Sequence, residues 1–460
     1  MANTVTTINP YTEAAIKQYT LLTKDEAEQA VERADVCFQS WKLKTLSERA
    51  ALAFKLAKLL EDKQHELAQL MTDEMGKITS QGLEEVQLCA KICRYTAIES
   101  AKVLANEERD VEGGTAIITY QPIGVILGIQ PWNFPLYQVI RYSITNIVAG
   151  NTTVLKHAAN VFGMAKRIQE LYIEAGFPEN CYQSLIIDGE TASSLIAHPK
   201  VKGVTFTGSD NVGKTVAATA AKLAKKTVLE LGSNDAFLVL DDADVQLAAK
   251  TCVTGRMINN GETCVSAKRF IVTEKNYTAF KTAFVNGLAN VVMGDPNNND
   301  TDLGPMARQD LREKLHEQVT QSIQAGATVV CGCEIPKQKG FFYPPSILEN
   351  VGPGMPAYED ELFGPVAALI KVKDDEEAMQ VANDSRYGLG GGIFSKNIDK
   401  AIELASKHFD TGMVNINGYK LAQPNLPFGG VKDSGYGREH GGFGLREFIN
   451  IKSIMVTEAA

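Results

Sequence analysis

The 460-residue chain has no block of basic residues, no C-x2-C pair, no tandem repeat, no low-complexity linker and no G-x-G-x-x-G motif. Most of these absences narrow the architecture or the function. Lysine and arginine total 46 against 55 acids, a formal charge of −9. Without a local basic patch, that balance excludes nucleic acid and anionic membrane surfaces as the main partner. The eight cysteines, at 37, 89, 93, 181, 252, 264, 331 and 333, lack zinc-ligand spacing, so no metal site is expected. Scattered over a long chain, they read as reduced thiols, and the expected compartment is the cytoplasm. The opening MANTVTTINPYTE lacks a basic n-region and an apolar h-region, so no signal peptide is expected. Residues 113–140 carry no formal charge, but Pro122, Pro131, Pro135, Gly124 and Gly128 interrupt them. A spanning helix needs about 20 predominantly apolar residues, so this stretch reads as a hairpin or strand, a buried turn and a helix. With 44% hydrophobic and 22% charged residues, the composition is that of a globular chain long enough for two or three domains.

The first hundred residues read as helices. Thr23-Lys24-Asp25-Glu26 and Thr45-Leu46-Ser47-Glu48 are both capping boxes, each followed by apolar residues at helical spacing. From about residue 115 short apolar runs alternate with helical patterns. The runs are Gly124–Ile129, Thr152–Leu155, Val204–Thr207, Phe237–Leu240 and Phe270–Val272. Strands alternating with helices predict βαβ units and a mainly parallel sheet.

Gly208-Ser209-Asp210-Asn211-Val212-Gly213-Lys214-Thr215 satisfies G-x4-G-K-[ST], and the run Phe237–Leu240 ends at Asp241. Together they point to a phosphate-cradling loop with a magnesium-binding aspartate. A strand-to-helix turn of this kind suits any phosphate, so a dinucleotide pyrophosphate is an equal guest.

Two further segments carry chemistry. Asn259-Asn260-Gly261-Glu262-Thr263-Cys264 sets a thiol just after a turn, and Leu229-Glu230-Leu231-Gly232 sets a carboxylate at the end of an apolar run. With PWNFP at 131–135, FTGS at 206–209, ELG at 230–232, GETC at 261–264, ELFGPV at 361–366, GMVNIN at 412–417 and PFGGVKDSGYGRE at 427–439, the chain resembles the aldehyde dehydrogenase superfamily over essentially its whole length. Within it, the chain is most similar to the bacterial succinate-semialdehyde dehydrogenases.

The resemblance implies an α/β protein: a Rossmann-like cofactor domain over 1–103 and 122–232, an α/β catalytic domain over 233–440, and a small β oligomerisation element from 104–121 and 441–460. It implies a homodimer or homotetramer. Cys264 is then the nucleophile that attacks the aldehyde carbon, giving a thiohemiacetal and, after hydride loss, a thioester. The Asn133 side-chain amide and the Cys264 N–H are the oxyanion donors. Glu230 is the base for hydrolysis, its pKa raised by an apolar setting. For the cofactor, NADP and/or NAD, the resemblance implicates Trp132, Lys156, Gly208, Ser209, Glu361 and Phe363, and it reinterprets the P-loop-like turn as a dinucleotide site.

Departures from the family pattern sharpen the reading. Ala159 stands where members that prefer NAD often carry a glutamate, which leaves room for a 2′-phosphate beside Lys156; His157 is either a phosphate contact or a packed turn histidine. Glu262 replaces a commoner glutamine and would disfavour the thiolate unless it points away. Ser233 and Ala236 replace a usual glycine and proline near Glu230. Ser266 stands where some relatives have a second cysteine, so no local disulfide is expected, and only the distant Cys252 is left as a partner for Cys264. The substrate is expected to bear a carboxylate, because Arg141 matches the arginine that clamps it in succinate-semialdehyde dehydrogenases and lies i,i+4 from Tyr137. A second arginine found in some relatives is replaced by Ile258, with Lys420 and Gln423 the candidates for the missing polarity and Ser434 a weaker one. If Arg141 is instead structural, an aminoaldehyde or neutral aldehyde is the alternative.

Overall fold

Both capping boxes form in the computed structural model, which describes residues 3–420 and 422–457. The Glu26 carboxylate accepts from Thr23 N at 2.7 Å and Thr23 Oγ1 accepts from Glu26 N, starting the helix Lys24–Trp41. Thr45 and Glu48 repeat the arrangement at the head of Leu46–Asp62. Ahead of them the structure departs from the helical expectation, because Thr4–Ile8 and Ala15–Thr20 pair as an antiparallel hairpin. Ala15–Thr20 buries only Tyr19, so neither strand shows the alternation that would have marked it.

All five predicted apolar runs are strands, those at 124–129, 152–155 and 204–207 in a first sheet and those at 237–240 and 270–272 in a second. Val125–Gln130, Thr152–His157, Tyr182–Leu185, Val201–Thr207 and Lys226–Glu230 form a parallel sheet, completed by Gly435–Tyr436 antiparallel to Lys226–Glu230. From Val125–Gln130 the chain first walks outward through 152–157 and 182–185, then returns to 201–207 on the other side. The order therefore reverses between 125–130 and 201–207, and the crevice beyond their carboxyl ends is where such sheets take ligands. The Lys24–Trp41 helix packs on one face around Ala27, Val31 and Ala34, and the fully buried Tyr137–Ala149 helix belongs to the cluster on the other.

A second, seven-stranded sheet runs in the spatial order 328–331, 346–349, 366–372, 269–273, 236–239, 391–394, 415–416, parallel except for its first pair. A third sheet pairs Ile449–Thr457 with Gly114–Pro122 along nine residues each, and that strand in turn with Glu107–Val111. The chain rejoins the first sheet at Gly435, ahead of the boundary expected at 440.

This topology overturns the P-loop pairing of Gly208–Thr215 with Asp241. The strand leading to Gly208 lies in the first sheet and the one leading to Asp241 in the second. Lys214 turns outward to Asp433 at 2.9 Å, and Thr215 Oγ1 is spent on Asn211 O at 3.1 Å. Among the described residues no helix is long and apolar enough to cross a membrane, and no group of three or more His, Cys, Asp or Glu is arranged to hold a metal.

Candidate active site

Cys264 sits on the wall of a cavity of about 410 Å³ that also exposes Tyr137, Arg141, Ile258, Lys420 and Gln423. The turn before it is left-handed over three residues, with φ of 53° at Asn259, 57° at Asn260 and 75° at Gly261. Asparagine tolerates that conformation, and at Gly261 nothing larger fits. A Cβ there would lie 2.3 Å from Gly364 C and 2.5 Å from Pro365 N. The GETC and ELFGPV segments therefore meet backbone to backbone.

Neither Asn133 nor Glu230 lines the cavity; each comes to the thiol from a sheet end. Asn133 follows the central strand of the first sheet. Its Nδ2 donates to Glu262 O at 3.0 Å and its Oδ1 accepts from Gln138 Nε2 at 3.0 Å, leaving one amide hydrogen over. The Cys264 N–H donates to no acceptor among the described residues. Below Asn133 lies a fully buried ion pair that sequence reasoning missed. Lys77 Nζ donates to Asn133 O at 3.0 Å and pairs with Glu85, whose Oε1 accepts from Leu136 N and Tyr137 N at 2.9 Å each. A carboxylate at a helix N-terminus matches the dipole there.

Glu230 ends the strand Lys226–Glu230 and is 2% exposed, with neither carboxylate oxygen hydrogen-bonded among the described residues. Burial raises its pKa well above the usual range; Glu439 raises it further, while Arg141 opposes. Burial also pushes the Cys264 thiol up to about 12, against the pull of Lys268 and Arg141.

Arg141 reaches the cavity, but it already holds a carboxylate: it is ion-paired with Glu439, and its Nη2 donates to Thr207 Oγ1 at 3.0 Å. Tyr137 stacks on His440 and shares a 2.9 Å hydrogen bond between its hydroxyl and His440 Nε2. Lys268 was also missed. Its buried ammonium bonds Ser233 Oγ at 2.9 Å and Cys264 O at 2.5 Å, and pairs with Glu361 at 3.1 Å.

The remaining candidates divide clearly. Trp132, Ala159, Gly208 and Ser209 follow the carboxyl ends of neighbouring strands at the switch crevice, and Lys156 is the last residue but one of the strand Thr152–His157. Trp132 meets Phe363 edge to face at 5.9 Å. Ser209 heads the twelve-residue helix Asp210–Ala221 without spending its hydroxyl on a cap bond, and Lys156, acted on by Asp188 only through charge, has no side-chain hydrogen bond among the described residues. A free helix N-terminus, a free hydroxyl and a free lysine form a donor set that fits a dinucleotide phosphate. His157 is packed, though as the last residue of the strand Thr152–His157 and not in a turn: Nε2 lies 2.8 Å from Pro135 O, and burial holds its pKa down at about 4. The Glu262 carboxylate turns to Ala307 N, with both oxygens at 3.1 Å. Ser434 is spent on Gly232 O at 2.7 Å, outside the cavity lining. All eight cysteines are free thiols; Cys252 lies in the core cluster around Phe270, apart from the cluster that includes Cys264. Among the missed residues only Glu439 stood in a quoted motif. Lys77, Glu85, His440 and Lys268 carried no local signal.

The Aldehyde dehydrogenase family model matches residues 1–454. The chain is 41% identical over 448 residues to a succinate-semialdehyde dehydrogenase [NADP(+)] of Deinococcus radiodurans, covering 97% of this chain and 94% of that protein. It is 42% identical over 447 residues to a succinate semialdehyde dehydrogenase [NAD(P)+] of Escherichia coli, covering 97% and 96%. Among solved structures it superposes with a TM-score of 0.96 on succinic semialdehyde dehydrogenase from Streptococcus pyogenes in complex with NADP+, at 38% identity over 98% of this chain and 100% of that one.

Proposed function

The chain belongs to the aldehyde dehydrogenase family, and from that premise we propose that it oxidises succinate semialdehyde, or a similar short acid-bearing aldehyde, to the carboxylate with NADP or NAD. The observation that carries the chemistry is the Glu230 carboxylate, buried without a hydrogen-bond partner among the described residues and close enough to Cys264 to raise the thiol pKa. Cys264 attacks the aldehyde carbon. The spare Asn133 amide hydrogen and the Cys264 N–H receive the oxyanion of the thiohemiacetal. The nicotinamide cofactor, when bound, supplies the hydride acceptor that lets this adduct become a thioester. Lys156 would hold its adenosine ribose, Trp132, Ser209 and the Gly208 turn its pyrophosphate, Glu361 its nicotinamide ribose, and Phe363 would pack beside the ring, while Ala159 leaves a 2′-phosphate unopposed. Glu230 then takes a proton from water, whose oxygen attacks the thioester carbon; the carbon–sulfur bond breaks, releasing the acid and the Cys264 thiolate.

Arg141 takes the substrate carboxylate with the N–H groups left over from Glu439 and Thr207, with Tyr137 beside it and Lys420 at the same wall. The existing Arg141–Glu439 pair favours a second reading, in which the arginine is already neutralised and the substrate is a neutral aldehyde or an aminoaldehyde. The ratio of kcat/KM for succinate semialdehyde to that for butanal separates the two. A preference of 100-fold or more, about 2.7 kcal/mol, supports the clamp; equal rates overturn it.

We assign the three-stranded sheet to assembly into a dimer or tetramer. Its last strand exposes Ile451 at 60%, Met455 at 72% and Val456 at 51%, and an apolar, unpaired edge invites a second copy. A monomer by light scattering at micromolar concentration overturns this assignment. Eight free thiols fit a reducing cytoplasm.

A further inference from the structure

Lys268 is a buried cation beside the nucleophile to which the mechanism above gives no task. Its side chain is 2% exposed, and its ammonium donates to Ser233 Oγ at 2.9 Å, Thr263 O at 3.1 Å and Cys264 O at 2.5 Å while pairing with Glu361 at 3.1 Å. A lysine that only pinned the turn would need the two carbonyls and no more. This one spans the loop that carries the thiol and the loop that carries the carboxylate assigned above to the nicotinamide ribose.

We infer that Lys268 is a positioning residue that couples the two: occupancy of Glu361 by the cofactor ribose strengthens the field of Lys268 at Cys264 and makes the thiol more reactive. The inference rests on the aldehyde dehydrogenase reading of Cys264 and Glu361. Without a ribose, Glu361 is the ion-pair partner of Lys268, and the pair presents little net charge to the thiol. A ribose hydroxyl donating to Glu361 draws its negative charge outward, and the ammonium is left less compensated in a low-dielectric pocket. The thiolate gains from that change.

The other charges around the thiol are fixed by different contacts. Arg141 also favours the thiolate and is held by Glu439; Glu230 disfavours it. Tyr137 and Tyr419 also face the thiol, both buried and held protonated. Asp235 faces Lys268, raised by burial to about 6, and Arg256 faces Glu361. The thiol itself, pushed up to about 12 by burial, is almost wholly protonated at neutral pH in the absence of cofactor, so there is reactivity to be gained.

The test reads the thiol directly. Alkylation of Cys264 by iodoacetamide is followed against pH with and without saturating NADP, in the full chain and in Lys268→Met, Lys268→Arg and Cys264→Ala. In the unaltered chain NADP lowers the pH midpoint by about one unit, a tenfold gain in thiolate. Lys268→Met raises the midpoint and removes most of the NADP shift, and Lys268→Arg retains it. The same midpoint and the same NADP shift in Lys268→Met overturn the inference. If Lys268→Met does not fold, Glu361→Gln decides: its cofactor-free midpoint falls towards the NADP-bound value, and an unchanged midpoint overturns the coupling. Cys264→Ala that is alkylated like the unaltered chain shows that the reactive thiol lies elsewhere, a failure of the nucleophile reading itself.

Discussion

On the Asn133 side of the nucleophile the buried charges are matched one to one. Lys77 faces Glu85, each has further hydrogen bonds to backbone, and those bonds end on Asn133 and on the first turn of the Tyr137–Ala149 helix. On the Glu230 side two buried carboxylates share one arginine, and neither Glu230 oxygen has a hydrogen bond among the described residues. An unsatisfied buried acceptor costs about 1–3 kcal/mol, so the second flank carries a strain that the first avoids. With the roles proposed above for Asn133 and Glu230, the contrast separates two jobs: the matched side would hold an oxyanion donor still, and the unmatched side would keep a base hungry for a proton.

The largest effect removes what both flanks serve. Cys264→Ala is expected to lower aldehyde-dependent cofactor reduction by at least about 10⁴-fold; retained turnover would end the comparison. Next comes the unmatched side alone. Glu230→Gln lowers kcat by about 10²–10⁴-fold, while a first-turnover burst of reduced cofactor persists, because the base acts after hydride transfer. Loss of the burst in stopped-flow would place Glu230 earlier in the sequence.

On the matched side the effect falls on stability as well as rate. Glu85→Gln leaves Lys77 buried without a counter-charge, and a drop of about 3–5 kcal/mol in unfolding free energy is expected by denaturant titration. Adding Lys77→Met to that variant recovers part of the loss. If Glu85→Gln alone is silent, the pair is not what fixes Asn133.

The smallest effect is a matter of slope. Burial, aided by Arg141, holds the His440 pKa down at about 3. A folded-state value below the ordinary 6.5 means that only the unfolded chain takes up the proton as pH falls. The unaltered chain should therefore lose about 1.4 kcal/mol per pH unit relative to His440→Gln below pH 6.5, and nothing above it. A pH-independent difference would show that His440 titrates normally and that the flank around Tyr137 is wetter than its burial implies.

Much of the molecule was legible in the chain because the signals were local. The apolar runs became strands with ends shifted by up to three residues, and Cys264, Glu230 and Asn133 each stood in a short motif. The hairpin Thr4–Ile8 with Ala15–Thr20 was not legible, because its side chains are mostly exposed and leave no period. The support of the site escaped for a different reason. Lys77 lies 56 residues from Asn133 and His440 lies 303 from Tyr137, so only the topology joins them. The same distance effect exposed the P-loop look-alike, where a satisfied local pattern failed once Asp241 fell in the other sheet.

The pairing of Gly435–Tyr436 against Lys226–Glu230 sets Gly435 opposite Glu230, and Leu231 N donates to Ser434 O at 3.0 Å. The residue assigned as base therefore lies on a strand whose outer edge is closed by a segment made some two hundred residues later. During synthesis that strand emerges with its edge open, and the closing segment leaves the ribosome some two hundred residues after it. A chain released before residue 435 would keep its dinucleotide crevice but lack the brace beside Glu230, so incomplete copies could hold cofactor without turning over.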